Sequence, residues 1–129
     1  MIQSRSSQNL LVGFLAVVLV LLALWGWNNG VQAARAKRIV KDTRSIAAGF
    51  SEFYKDQNRY PATTEFKENN LLRPYIANFP PKQFPTEACP ESFDYYNASP
   101  EVYELRFCLP KAVDGFQIGW NTLTSPVKP

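Results

Sequence analysis

The chain contains no histidine. That absence excludes Ser-His-Asp and Cys-His catalysis, histidine-ligated zinc and a histidine pH switch. Acid is missing from the amino-terminal part as well: no Asp or Glu precedes or falls within Leu10–Trp27. Sulfur is scarce, with only two cysteines, Cys89 and Cys108. Beyond a membrane segment, such a pair reads as a disulfide formed in an oxidising compartment. Closing a loop of about 20 residues would stabilise the fold by about 3 kcal/mol on chain-entropy grounds. The alternative is two reduced thiols packed as small apolar groups. The net charge of +3 is too small to argue for nucleic acid. The ten prolines all lie beyond Tyr60, which predicts a loop-rich carboxy-terminal part.

What the chain does have is an uninterrupted, uncharged run from Leu10 to Trp27, LLVGFLAVVLVLLALWGW. At about 1.5 Å per residue it makes a helix of roughly 27 Å, enough to cross a hydrocarbon core. Trp25 and Trp27 close it where amphipathic rings rest at lipid headgroups. An ordinary signal peptide is the rival reading. Val31-Gln32-Ala33 before Ala34 fits a small-x-small cleavage site, and cutting there would release a soluble extracytoplasmic domain.

Past Asn28-Asn29-Gly30 a second pattern begins. Ile39, Thr43, Ile46, Ala47, Phe50, Phe53 and Tyr54 recur at helical spacing, with Lys37, Lys41, Arg44, Ser45, Glu52, Lys55 and Asp56 largely between them. A helix from about Leu10 to Gln57 is expected, ended by Asn58-Arg59-Tyr60-Pro61. Thr63-Thr64-Glu65-Phe66 opens a short polar helix, and Phe79-Pro80-Pro81 to Phe84-Pro85 is an irregular crossing. Strands are expected over Ser92–Asn97, Val102–Leu109 and Gly115–Thr122, joined by turns at Ala98-Ser99-Pro100 and Val113-Asp114-Gly115. The second strand alternates. Val102, Glu104, Arg106 and Cys108 fall on one face, and Tyr103, Leu105, Phe107 and Leu109 on the other. The aromatic face needs cover, and the apolar helix stripe can supply it.

This plan resembles the type IV pilin-like proteins, and within them the major pseudopilin of type II secretion. The stretch Phe53-Tyr54-Lys55-Asp56-Gln57-Asn58-Arg59-Tyr60-Pro61 is similar to the family's aromatic, Asp, Asn-Gly-Arg and Tyr-Pro run. Leu72-Arg73-Pro74-Tyr75-Ile76 followed by Phe79-Pro80, then Tyr95-Tyr96 and Tyr103-Glu104-Leu105, resemble its later segments. The resemblance implies a prepilin-peptidase junction, for which Gly13-Phe14 is the candidate. It also implies a glutamate five residues into the mature chain. Here that position is Val18. An uncleaved or unusual pilin-like protein, or a minor subunit, is therefore expected.

The expected fold class is α+β: a long amino-terminal helix, transmembrane then amphipathic, on a small carboxy-terminal antiparallel sheet. The divisions are 1–30 for the terminal segment and transmembrane helix, 31–57 for the amphipathic continuation and 58–129 for the head. The expected function is structural. A single-pass protein of a bacterial type II secretion or type IV pilus system would act by helix–helix assembly. Its partners would be the bilayer, other pilin-like subunits and an inner-membrane platform. The alternatives are a membrane-tethered extracytoplasmic binding domain that does not polymerise, and a secreted soluble domain. The expected location is the bacterial inner membrane with the head outside. The Cys89–Cys108 pair and the resemblance favour that orientation. Arg35, Lys37, Arg38, Lys41 and Arg44, counted by the positive-inside rule, oppose it. The same cluster has three uses open to it: a solvated helix face, contact with anionic headgroups, or contact with DNA, which nothing else supports. No enzyme is expected. Asp94, Glu101, Glu104 and Asp114 are scattered, and no spacing singles out a carboxylate pair. No cofactor is expected, and no metal site is assigned, although Asp114, Asn97 and Glu101 offer oxygens.

Overall fold

The computed structural model describes residues 2–68 and 70–125, with side chains from Ser6 onward. Two compact units divide the chain, Met1–Gln32 and Ala33–Pro129. Helix α1 spans Ile2–Gln57 and so supplies the first unit and the opening of the second. It starts before the apolar run because neither proline nor glycine occurs before Gly13 to stop it. Asn28-Asn29-Gly30 lies inside it; a helical glycine costs only about 1 kcal/mol relative to alanine. The expected carboxy-terminal limit is met. Asn58 takes φ 56°, and its N–H donates to the Tyr54 carbonyl at 2.8 Å, a left-handed cap ahead of Tyr60-Pro61.

Within the second unit, α1 buries Ala36, Ile39, Val40, Thr43, Ile46, Phe50 and Phe53. Their three- and four-residue spacing is the expected stripe. Thr43 is the one polar member, and its hydroxyl donates to the Ile39 carbonyl at 2.8 Å. A short helix α2 (Thr63–Glu68) follows, then turns through Leu72 and Ile76, both buried. The chain next crosses residues 79–92 without regular structure, through a cis Phe79-Pro80 bond.

Three antiparallel strands complete the head in the order β1 (Phe93–Ser99), β2 (Val102–Leu109) and β3 (Gly119–Thr124). Strand β2 has the expected bounds and faces: Tyr103, Leu105, Phe107 and Leu109 are buried, while Val102, Glu104 and Arg106 are exposed. Cross-strand partners of Leu105 are Tyr95 and Leu123. Strand β3 starts four residues later than the alternation predicts. Asp114 and Gly115, at φ 52° and 84°, make a two-residue turn that pairs Val113 with Phe116. Paired positive φ values are the geometry that Asp-Gly favours. The turn closes a small loop of its own, and the ladder to β2 begins only at Gly119.

The helix stripe covers the aromatic face of the sheet. The Phe50 ring lies 5.0 Å from Tyr95 and 4.9 Å from Tyr103, and Phe66 stacks on Tyr95 at 4.8 Å. Each fully buried large side chain contributes about 1.5–3 kcal/mol, and offset or edge-on ring pairs add about 0.5–1.5 kcal/mol. The stripe is therefore a principal source of the head's stability. At Gly49 the helix meets the returning chain so closely that an added Cβ would lie 2.8 Å from the Tyr75 carbonyl oxygen.

Candidate membrane and assembly interface

In the first unit, α1 is long and apolar enough to cross a membrane. Its large apolar side chains from Leu10 to Trp27, Val18 apart, are exposed, from 51% at Leu15 to 77% at Trp27. Nothing among the described residues of the first unit covers them. At about 1.5 kcal/mol per side chain, these thirteen residues leave on the order of 20 kcal/mol unrealised until lipid or other helices enclose them. Gly13 and Phe14, the candidate junction, both lie inside α1. Phe14 is exposed, and a Cβ at Gly13 would meet open space. Val18, at the position of the family glutamate, is a half-buried apolar residue on the same helix.

In the second unit, the basic cluster divides into three arrangements. Arg38 pairs with Asp42 at 3.2 Å. Arg35 lies over the Phe84 ring at 5.8 Å, and Lys82 reaches the same ring at 5.4 Å from the 79–92 crossing. Lys37, Lys41 and Arg44 are exposed, and no carboxylate among the described residues pairs with them. Their spacing of four and three residues puts them on one helix face, roughly opposite the buried stripe.

The Tyr-Pro stretch that carries the resemblance is a structural clamp. Arg59 lies over the Phe53 ring at 5.2 Å and forms a two-pronged ion pair with Glu65, with Nη2 to Oε2 at 3.0 Å. Glu65 Oε1 also accepts the Ala62 N–H at 2.8 Å, capping α2. The Arg59 guanidinium holds the Glu65 carboxyl below the usual carboxylate range, and Glu65 raises Arg59 in turn. Tyr60 is buried, and its N–H donates to the Pro100 carbonyl at 2.7 Å. The Tyr95 hydroxyl donates to the Pro61 carbonyl. Burial raises the phenols of Tyr60, Tyr95 and Tyr103, with Tyr103 pushed up to about 12. The sequence marked this loop as a helix stop. The Arg59–Glu65 pairing was signalled only by opposite charges flanking the Tyr-Pro step.

Cys89 and Cys108 form the expected disulfide, with Cα atoms 5.7 Å apart. It ties the 79–92 crossing to the end of β2. Ser92 adds to that joint: its hydroxyl accepts the Phe84 N–H at 2.8 Å, and its carbonyl accepts the Cys108 N–H at 3.0 Å. The scattered acids do not gather. Asn97 Nδ2 is committed to the Ser99 and Val102 carbonyls, at 2.6 and 3.0 Å, and Asp114 sits in the separate 113–116 turn. Among the described residues, no group of three or more Cys, Asp or Glu is placed to hold a metal ion. A groove of about 400 Å³ beside α2 and β1 presents Lys67, Glu91 and Asp94 over Phe66, Phe93 and Tyr95. Its aromatic floor belongs to the core.

Compared with known proteins, the chain matches no family model, no curated protein and no solved structure.

Proposed function

We propose that this protein is a structural, pilin-like membrane subunit of a bacterial type II secretion or type IV pilus system. In this reading the Leu10–Trp27 helix sits in the inner membrane and packs against like helices, and the disulfide-locked head lies on the extracytoplasmic side. The protein performs no chemistry, and assembly is driven by a separate motor. The observation that carries the reading is the double use of one helix. Its first part exposes an uncharged apolar surface on every side, and its second part buries a stripe beneath an antiparallel sheet. The Tyr-Pro clamp and the similarity of Phe53–Pro61 to pilin-like chains support it.

The test is in-membrane cross-linking of a photoreactive residue placed at Val17 or Leu21, both exposed on α1. The expected product is a ladder of adducts with its own kind or with other pilin-like helices. Lipid adducts alone, at every position tried, would overturn helix–helix assembly. They would leave the second reading, a tethered binding domain that does not polymerise. Val18 favours that second reading, because it offers no carboxylate to meet the terminal amine of a neighbouring subunit.

A further inference from the structure

The charge of this chain is concentrated in one place. Five of its 14 Lys and Arg lie between Arg35 and Arg44, with only one of its 11 Asp and Glu. That segment therefore carries +4, and the rest of the chain is slightly acidic at −1. The segment begins eight residues after Trp27, roughly 12 Å further along the same helix. Inside the head these charges are only partly spent. Arg38 has Asp42. Lys37, Lys41 and Arg44 stand exposed along the helix face turned away from the core, without a carboxylate partner among the described residues. Arg35 is engaged with the Phe84 ring, which it shares with Lys82.

These three side chains lie outside the buried stripe of α1 and add nothing to the core. We infer that Lys37, Lys41 and Arg44 form a binding surface for the phosphates of anionic phospholipid headgroups. The surface acts in the leaflet on the side of the head. Compact ammonium groups suit phosphodiester oxygens as point charges, and the guanidinium of Arg44 adds paired donors. The consequence is positional: the membrane helix supplies the tether, and the basic face fixes how the head is presented at the lipid surface. The inference rests on the tether reading above but does not require polymerisation.

The experiment uses the full chain in nanodiscs of phosphatidylcholine alone or rich in phosphatidylglycerol, with amine-reactive labelling read by mass spectrometry. Lys55, Lys67 and Lys111 are internal controls. In anionic discs, labelling of Lys37 and Lys41 should fall roughly fivefold, as expected for about 1 kcal/mol per cation near an anionic surface. It should recover in about 0.5 M salt, where screening shortens to a few Å, while the control lysines stay constant. Equal labelling of Lys37 and Lys41 in both discs overturns the inference. So does equal protection in zwitterionic discs by inorganic phosphate or by duplex DNA, which would assign the face to a soluble anion. A chain that fails to remain with either kind of disc removes the tether reading itself, and the inference with it.

Discussion

Gly49 offers the sharpest test of how the helix meets the rest of the head. On an exposed helix, Gly→Ala stabilises by about 1 kcal/mol through backbone entropy. At Gly49 the added methyl would meet the Ile76 side chain and come within 2.8 Å of the Tyr75 carbonyl oxygen and 3.2 Å of its carbon. A side chain can turn aside, but a backbone carbonyl moves only with the whole 72–76 turn, which is held by Leu72 carbonyl bonds at 2.9 and 3.0 Å. Overpacking of this kind typically costs 1–3 kcal/mol, so after the propensity gain Gly49→Ala should be net destabilising by up to about 2 kcal/mol. For a head of this size that lowers Tm by up to about 15 °C. Thermal unfolding of the full chain in detergent, followed by near-ultraviolet circular dichroism, measures it. Ala48→Gly, at the exposed neighbouring position, reads the propensity contribution alone and should cost about 1 kcal/mol. Trimming the partner with Ile76→Ala should not rescue Gly49→Ala, because the carbonyl contact remains and the burial of Ile76 is lost. If Gly49→Ala raised Tm, the close approach of α1 to the 75–76 backbone would be refuted.

Replacing both cysteines with serine should cost about 3 kcal/mol, from the loop that the Cys89–Cys108 bond closes. Denaturant unfolding with and without reductant measures it, and a reductant-insensitive midpoint would refute it. Alkaline stability follows from the phenols. Because burial raises Tyr103 to about 12, folding is favoured fully below the ordinary tyrosine value near 10. That contribution is lost as pH climbs from about 10 to 12. Tyrosinate absorbance should therefore rise together with loss of tertiary structure. Free titration of all six tyrosines near pH 10 in the folded chain would contradict it. Glu65 acts in the opposite direction. Its lowered carboxyl stabilises the fold above about pH 4.5 and loses that effect as pH falls further, so Glu65→Gln should flatten the acid limb of stability.

Local periodicity made much of this architecture legible. Ile39, Ile46, Phe50 and Phe53 mark a helix face by spacing alone, and the strict alternation of Val102–Leu109 fixes both the strand and its buried side. The Asn58 and Asp114-Gly115 punctuation also survived, because these residues tolerate the positive φ that a cap or tight turn requires. What escaped depends on contacts between distant segments. Phe116, Ile118 and Trp120 alternate like a strand, but the Asp114-Gly115 turn uses up the residues before Gly119 in a loop of its own. Gly49 looks like a weak point in a helix until Tyr75 and Ile76 are brought against it. Lys82 looks like an isolated loop charge until Phe84 places it beside Arg35.

The sulfur bridge has one more consequence. It secures residues 79–92, a crossing without regular structure, whereas helix and sheet hold each other through their rings. A reduced molecule would thus keep its centre and loosen at one flank. Proteolytic nicking between Phe79 and Ser92 would then record which side of the membrane each copy had matured on.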